Sequence, residues 1–151
     1  MKLSQLYEAD ETAWLEKMSR IVKRRQFEKL DCENLSEFLL SMAKRDRREV
    51  FNRLVTLLVH VLKWQYQPLM RSRSWELTIR EQQDELRDEF ESKTLKNHAL
   101  ENLSKAYSRA LLRASGETGL EEDAFPPECP YTLDELLAEK PLPRNAEKDE
   151  S

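Results

Sequence analysis

Hydrophobic residues recur at helical spacing along most of this chain. The first series follows Asp10, whose carboxylate is suited to accept the free backbone N–H groups at the start of a helix. A second series predicts another helix from Asp31 to residues 43–45. The predicted buried faces consist of Trp14, Met18, Ile21 and Val22 in the first helix and of Leu35, Phe38, Leu39 and Met42 in the second.

The third predicted helix, residues 46–66, is apolar on two adjacent faces. A helix that is apolar on most of its circumference is typical of the centre of a bundle. Pro68 ends it, because the residue before a proline is disfavoured in the α region. The apolar residues are Val50, Leu54, Leu57, Leu58 and Val61 on one face and Phe51, Val55, Val59, Leu62 and Tyr66 on the other.

A fourth helix is predicted to begin at Ser72 or Ser74 and to extend to about residue 92. Its spacing brings Gln82 to a position where the apolar face would otherwise continue. A buried glutamine needs hydrogen-bond partners, because its amide loses those that water supplies. We therefore expect Gln82 to be bonded to a neighbouring element.

A fifth helix is predicted to begin near Thr94 and to end by Gly119, a suitable residue for a left-handed helix terminus. The segment FPPECPYTLDELL, residues 125–137, then predicts an extended, proline-stiffened strap followed by a short helix. Thr132 and Glu135 have the spacing of a capping box at the start of that helix.

These elements together predict an all-α protein, a bundle of about five helices with the hydrophobic third helix at its centre. The length and apolar content suit a single domain over residues 1–138. Residues 139–151 lack the apolar content to offset the entropy of ordering, and we expect a disordered tail there.

The overall charge narrows the classes of function. A formal net charge of −4 argues against extensive binding of nucleic acid, since duplex affinity comes mostly from Lys and Arg contacts to phosphates. The charge is unevenly distributed, however. Residues 44–80 carry nine basic residues against three acidic ones, a net +6, whereas residues 81–101 carry three against seven, a net −4.

The familiar catalytic and metal-binding patterns are not present in the sequence. His60 and His98 belong to neither an HExxH nor an ExxH pair, and no phosphate-binding or nucleophile-elbow motif fits glycines at 116 and 119 alone. Neither cysteine has a recognisable basic partner. The acidic run at residues 81–91 is typical of a solvated helix face. We predict no catalytic residues, metal or cofactor.

Cellular location is predicted from the cysteines and the hydrophobic segments. Cys32 and Cys129 are far apart and form no disulfide framework, which favours a reducing compartment. The N-terminal residues have no hydrophobic signal region, and the longest largely apolar run, Leu54–Leu62, is too short to span a bilayer. These features predict a cytoplasmic protein without a membrane anchor.

The candidate site lies in residues 60–82, where two tryptophans accompany a series of cations. One interpretation is structural: the arginines pair with Asp31, Glu33, Glu37 or Glu76 and stack on a tryptophan. The other is an anion or partner site at the start of the fourth helix, where free N–H groups and hydroxyls add to the cations. Its residues are Lys63, Trp64, Arg71, Ser72, Arg73, Ser74, Trp75 and Arg80.

Several segments resemble a bacterial family, abundant in cyanobacteria, that is known as domain of unknown function 29. They are LYEAD (6–10), AWL (13–15), LDCENLSE (30–37), LLVHVLKWQYQP (57–68), RSRSWELTIREQ (71–82), ETGL (117–120) and FPPECPYTLDELL (125–137). The resemblance implies an all-helical cytoplasmic domain with no established activity. This chain departs from the family's pattern at Ala43, where a glycine is usual, and at Phe38 and Leu40, where acids are common.

Three classes of function follow from these observations. The leading interpretation is a noncatalytic protein-interaction module that binds an unidentified protein or a second copy of itself, since the charge asymmetry could steer a partner. The alternative is a regulatory nucleic-acid or anion-binding protein that uses residues 63–80. An enzyme ranks third, because no set of acid, base, nucleophile or metal ligands is recognisable.

Overall fold

A computed structural model describes residues 1–138, and within them all regular structure is helical. The predicted all-α class is therefore confirmed. The predicted disordered tail, residues 139–151, lies outside the described residues. The α-helices are α1 Leu3–Ala9, α2 Glu11–Lys23, α3 Cys32–Tyr66, α4 Arg73–Glu89, α5 Lys93–Glu101, α6 Leu103–Thr118 and α7 Leu133–Leu137.

The described chain forms two compact units. The first comprises Met1–Arg45, and the second begins at Asp46, within α3. The sequence predicts a single domain over residues 1–138, and whether the two units fold together stays a prediction.

Trp14 is the centre of the first unit, with its side chain fully buried beside Met18 and Ile21. Its indole Nε1 donates a hydrogen bond to Asp31 Oδ2 at 3.1 Å, and the ring of Tyr7 packs edge-on against it at 4.6 Å. The buried indole N–H is thus paired, as burial of a polar group requires. The helix α1, which precedes Asp10, is not among the predicted elements.

Both ends of α2 have side-chain or backbone caps. The Ala13 N–H donates to Asp10 Oδ1 at 3.1 Å, which confirms the predicted N-cap. At the other end the Arg25 N–H bonds to Val22 O and the Gln26 N–H to Ile21 O, both at 3.0 Å. This is a Schellman motif, and it places Arg25 in the left-handed region, at φ 55°, where glycine is usual.

The two helices predicted over residues 31–45 and 46–66 are one continuous helix, α3. The prediction of a break was wrong. No glycine or proline occurs in α3, and the junction residues Ala43, Lys44 and Arg45 all have high helix propensity. The hydrophobic pattern changes there, because buried positions become dense only from Val50 onward, but a change of pattern does not interrupt the backbone hydrogen bonds.

The second unit is built around the C-terminal half of α3, which confirms the predicted central helix. Apolar residues of α4, α6, α7 and the strap surround it. Each fully buried Leu or Val stabilises the fold by about 1.5–3 kcal/mol relative to its exposed state. The buried residues of α3 are Val50, Leu54, Val55, Leu57, Leu58, Val59, Val61 and Leu62.

The predicted fifth helix is divided at Asn102 into α5 and α6. The Asn102 amide Nδ2 donates to the His98 carbonyl at 2.8 Å, so a side chain competes with the backbone for an acceptor at this point. The helix α6 ends at Gly119, which has φ 80° in the left-handed region. That terminus confirms the prediction for Gly119.

The predicted strap is followed by the predicted short helix, α7, and apolar residues of both pack in the core of the second unit. Phe125 is buried against Tyr66 at a ring distance of 5.3 Å, and the Thr132–Glu135 capping box is formed. The buried glutamine of α4 is Gln83 rather than Gln82, one position from the prediction. Its Nε2 donates to Leu136 O at 2.8 Å and to Ala138 O at 3.0 Å, and so fastens α7 to α4.

Candidate functional site

The predicted basic and aromatic residues lie in the last turn of α3, in the connection that follows it and in the first half of α4. A 3-10 turn over Pro68–Met70 follows α3. Ser72 then caps α4, since the Trp75 N–H donates to its Oγ at 3.2 Å. The Ser72 hydroxyl is therefore already engaged with the helix that it begins.

Lys63 is partnered within the second unit. Its Nζ lies 2.9 Å from Glu117 Oε1, and it also lies over the Trp75 ring at 4.9 Å from the centroid. Its side chain is mostly buried. The Glu117 carboxylate is about half-exposed, so it neutralises part of the charge of Lys63 in an ion pair that solvent partly screens.

Arg71 and Trp64 form the second contact between a cation and an aromatic ring in this region. Arg71 Nε donates to the Trp64 carbonyl at 2.8 Å, and the guanidinium stacks over the Trp64 ring at 4.9 Å. The Trp64 carbonyl belongs to the last turn of α3, whose carbonyls have no partner within the helix. Arg71 thus serves as a cap for α3.

The remaining predicted site residues are more open. Arg73 and Ser74 are exposed in the first turn of α4, and Arg80 pairs with Glu76 at 3.3 Å. The structural interpretation named four acids as partners of the arginines. Within residues 1–138, Glu76 is the one of these four for which such an ion pair is seen. These contacts favour the structural interpretation for Lys63, Arg71 and Arg80, and an anion or partner site at residues 63–80 stays a prediction.

A partly buried ion-pair cluster that the sequence did not indicate lies between α3 and α4. Arg53 faces three carboxylates: Glu49 and Glu85, each at 3.8 Å, and Glu89 at 3.6 Å. Its Nη1 also donates to Gln82 Oε1 at 3.2 Å. The i, i+4 spacings of residues 49 and 53 and of 85 and 89 were the available signal, but we interpreted the acidic run as a solvated face.

Glu89 has a strongly shifted pKa within this cluster. Loss of solvent contact raises its pKa to about 7, with further increases from the hydrogen bond and charge of Glu49 and from the charge of Glu85, while Arg53 acts in the opposite direction. One cation does not offset three carboxylates in a partly dehydrated place. The cluster therefore exchanges a proton near neutral pH.

An apolar groove lies on the first unit between α2 and α3. It has a volume of about 440 Å³, and its lining includes one charged residue, Lys23. Val22 and Leu39, which the sequence analysis assigns to buried faces, are 46% and 59% exposed. That assignment was wrong, because α2 and α3 cover each other only in part. The apolar lining residues are Leu15, Met18, Val22, Leu35, Phe38 and Leu39.

Comparison with known families identifies the chain. The family model described as "Domain of unknown function DUF29" matches residues 6–142. The chain belongs to the DUF29 family. No curated protein matches it, and no solved structure does. The resemblance inferred from the sequence motifs is thereby confirmed, and DUF29 as a family description carries no assigned activity.

Two further features bear on what this DUF29 chain can do. Over residues 1–138, no three His, Cys, Asp or Glu side chains are grouped so that they could hold a metal ion. None of the helices described there has the length and hydrophobicity that crossing a membrane requires. Cys129 is half-buried, and burial raises the pKa of its thiol, which makes it a poor nucleophile at neutral pH.

Proposed function

We propose that this DUF29 chain is a noncatalytic protein-interaction module whose first unit binds an amphipathic helix of a partner protein. The observation that carries the proposal is the apolar groove between α2 and α3. Apolar side chains from residues 15–22 and 35–39 line this groove, and a groove between two helices is suited to an amphipathic third helix.

The exposed apolar residues supply the driving force for docking. Val22 and Leu39 line the groove and present roughly half of their surface to water. Covering apolar surface contributes about 25 cal/mol per Å². A bound helix would shield both side chains at once, so these two positions are where binding is most sensitive to substitution.

Charge at the end of the groove specifies the partner further. Lys23 lines the groove, and Arg24 and Arg25 follow it directly, with Arg20 one turn earlier. No acidic residue occurs between residues 17 and 27. The partner helix should therefore combine an apolar face with Asp or Glu near one end, because rim charges increase the association rate and select against like-charged partners.

The test uses two helical peptides with the same apolar face, one flanked by glutamates and one by lysines. We expect the acidic peptide to bind, as measured by fluorescence anisotropy, and the V22K/L39K variant to weaken it at least tenfold, about 1.4 kcal/mol. A matched control is L100K/L112K, which changes two exposed leucines of the second unit.

Three outcomes would overturn this assignment of the groove. They are binding of neither peptide, equal binding of both, and equal effects of the groove and control variants. Light scattering should show a monomer. A dimer that V22K/L39K dissociates would replace the partner helix by a second copy of the chain.

The second candidate is a regulatory nucleic-acid or anion-binding protein that uses residues 63–80. Its support is the exposed Arg73 and Ser74 at the start of α4, while Lys63 and Arg80 are already paired with carboxylates. Affinity for a single-stranded oligonucleotide that falls steeply with salt and is lost in R73Q would favour this candidate.

For the cellular location of the protein we propose the cytoplasm, which suits the two free cysteines.

A further inference from the structure

A second concave surface, on the second unit, has a different chemical character. It lies between the part of α3 that begins at Arg47 and the helices α5 and α6, and its volume is about 370 Å³. Volumes of this size are within the range of small-molecule sites. We call it the basic pocket after its four cations, Arg47, Arg48, Lys105 and Arg109.

No carboxylate within residues 1–138 neutralises the four cations of the basic pocket. None of the residues that line the pocket is acidic. Within residues 1–138, none of the four forms an ion pair, whereas Arg53, on the same helix, contacts three carboxylates. Four like charges around one pocket repel one another, and a bound anion would relieve that repulsion.

Phe51 orients two of these cations without neutralising them. Its ring is half-buried in the pocket, with the Arg109 guanidinium 5.0 Å and the Lys105 ammonium 5.9 Å from the centroid. A cation–π contact restrains the charged group by the ring's electron density and leaves the N–H donors available. The arrangement is therefore preorganised for an acceptor.

Three further polar side chains complete the lining. Asn52, His98 and Asn102 all border the pocket. The Asn102 amide is fixed by its 2.8 Å bond to the His98 carbonyl, at the break between α5 and α6. Asn102, the residue at the break between the two helices, thus contributes a polar side chain to the wall of the pocket.

We propose that the basic pocket binds a small ligand that carries two or more phosphate groups. Guanidinium groups form paired hydrogen bonds with phosphate oxygens, and three of the four cations are arginines. Each phosphate ester carries about −1.5 to −2 charges at neutral pH, so two of them match four cations. The net charge of −4 on the chain disfavours a nucleic-acid strand, which would extend beyond the pocket.

Isothermal titration with pyrophosphate and tripolyphosphate tests the proposal, with sulfate at equal ionic strength as the reference anion. We expect saturable binding, tighter for tripolyphosphate, and a loss of at least about tenfold in affinity for each of R47Q and R109Q. The matched control is K93Q/K96Q, which removes two exposed cations of the same unit outside the pocket.

A measurement on the unaltered protein covers the case in which a variant does not fold. Pyrophosphate should shift the side-chain amide NMR signals of Asn52 and Asn102, whereas that of Gln67 stays unchanged. The proposal is overturned if sulfate binds as tightly as pyrophosphate, if K93Q/K96Q weakens binding as much as R109Q, or if the two asparagines do not respond. Tighter binding of a single-stranded oligonucleotide, lost in R109Q, would also overturn it and assign the pocket to nucleic acid.

Discussion

Arg53 Nε lies 3.6 Å from Glu89 Oε1, close enough for an ion pair but too far for a hydrogen bond, and neither atom has another hydrogen-bond partner in the described chain. The pair thus has electrostatic attraction without the short, directional contact that compensates best for dehydration. Loss of solvent contact, together with the neighbouring Glu49, outweighs the attraction of the cation and raises the pKa of Glu89 to about 7.

The raised pKa of Glu89 predicts a specific pH dependence of stability. Between pH 4.5 and about 7 the folded protein retains a proton that the unfolded chain has lost. The stabilisation is therefore complete below pH 4.5 and is lost as pH rises through 7. We expect E89Q to raise the free energy of unfolding by about 1–3 kcal/mol at pH 8 and to change it little at pH 4.

Urea denaturation at the two pH values measures this effect. The control is E81Q, an exposed glutamate of the same helix, which should show no such difference between the two pH values. Equal stabilisation by E89Q at pH 4 and pH 8 would show that packing rather than titration is responsible.

Removing the cation should have the opposite sign. R53Q leaves Glu49, Glu85 and Glu89 without their shared counter-charge, and we expect a loss of about 1–2 kcal/mol at pH 8, because two of the three carboxylates are half-exposed to solvent. At pH 5 the loss should be smaller, because Glu89 is then protonated. Adding E89Q to R53Q should recover part of the loss, and a double-mutant cycle gives the coupling energy. Strict additivity of the two substitutions would contradict a direct interaction.

Gln83 should control the attachment of α7. Q83L removes donors to the carbonyls of Leu136 and Ala138 and leaves both without that partner, at a cost of about 1–3 kcal/mol. Hydrogen exchange should accelerate in residues 133–138 more than in α6. Uniform acceleration throughout the second unit would instead indicate a general loss of packing.

Arg25 offers a stabilising substitution. Its backbone is in the left-handed region at φ 55°, where a side chain costs energy that glycine avoids. We expect R25G to raise the melting temperature, which corresponds to a gain of about 0.5–1 kcal/mol in the free energy of unfolding. R25Q removes the charge but keeps the strained backbone, and it should have no effect. A stabilising R25Q would attribute the gain to the loss of charge.

The proposal that residues 1–138 fold as a single domain can be tested with Trp14, the only tryptophan of the first unit. Just three residues of that unit are buried, so we expect its stability to depend on the continuation of α3 beyond Arg45. In W64F/W75F, Trp14 fluorescence should report the same denaturation midpoint as far-ultraviolet circular dichroism. An earlier transition at Trp14 would show that the first unit unfolds independently.

The sequence predicts local features of this fold well. The caps at Asp10, Ser72 and Thr132 and the left-handed Gly119 depend on a few neighbouring residues, so their signals are present in short segments. The same is true of the central position of residues 50–62, since a helix that is apolar on several faces needs cover on all of them.

Features that depend on helix crossings could not be predicted. Lys63 and Glu117 are 54 positions apart, and a single sequence gives no crossing angle from which their contact would follow. The exposure of Val22 and Leu39 has the same origin, because hydrophobic spacing shows a face but not how much of it a neighbour covers. The sequence predicts a buried glutamine at position 82, whereas Gln83 is the buried one. Few apolar residues define the buried face of this helix, so its orientation could be predicted only to within one position.

The bond from Arg71 to the Trp64 carbonyl has a consequence for composition. Helices commonly end with a glycine that turns the chain away, yet this chain of 151 residues has two glycines. A guanidinium that reaches back across seven positions satisfies the terminal carbonyl from outside the backbone. Such side-chain caps let the chain end a helix without a glycine. The residues that take the place of glycine have less conformational freedom in the unfolded state, so folding costs less entropy.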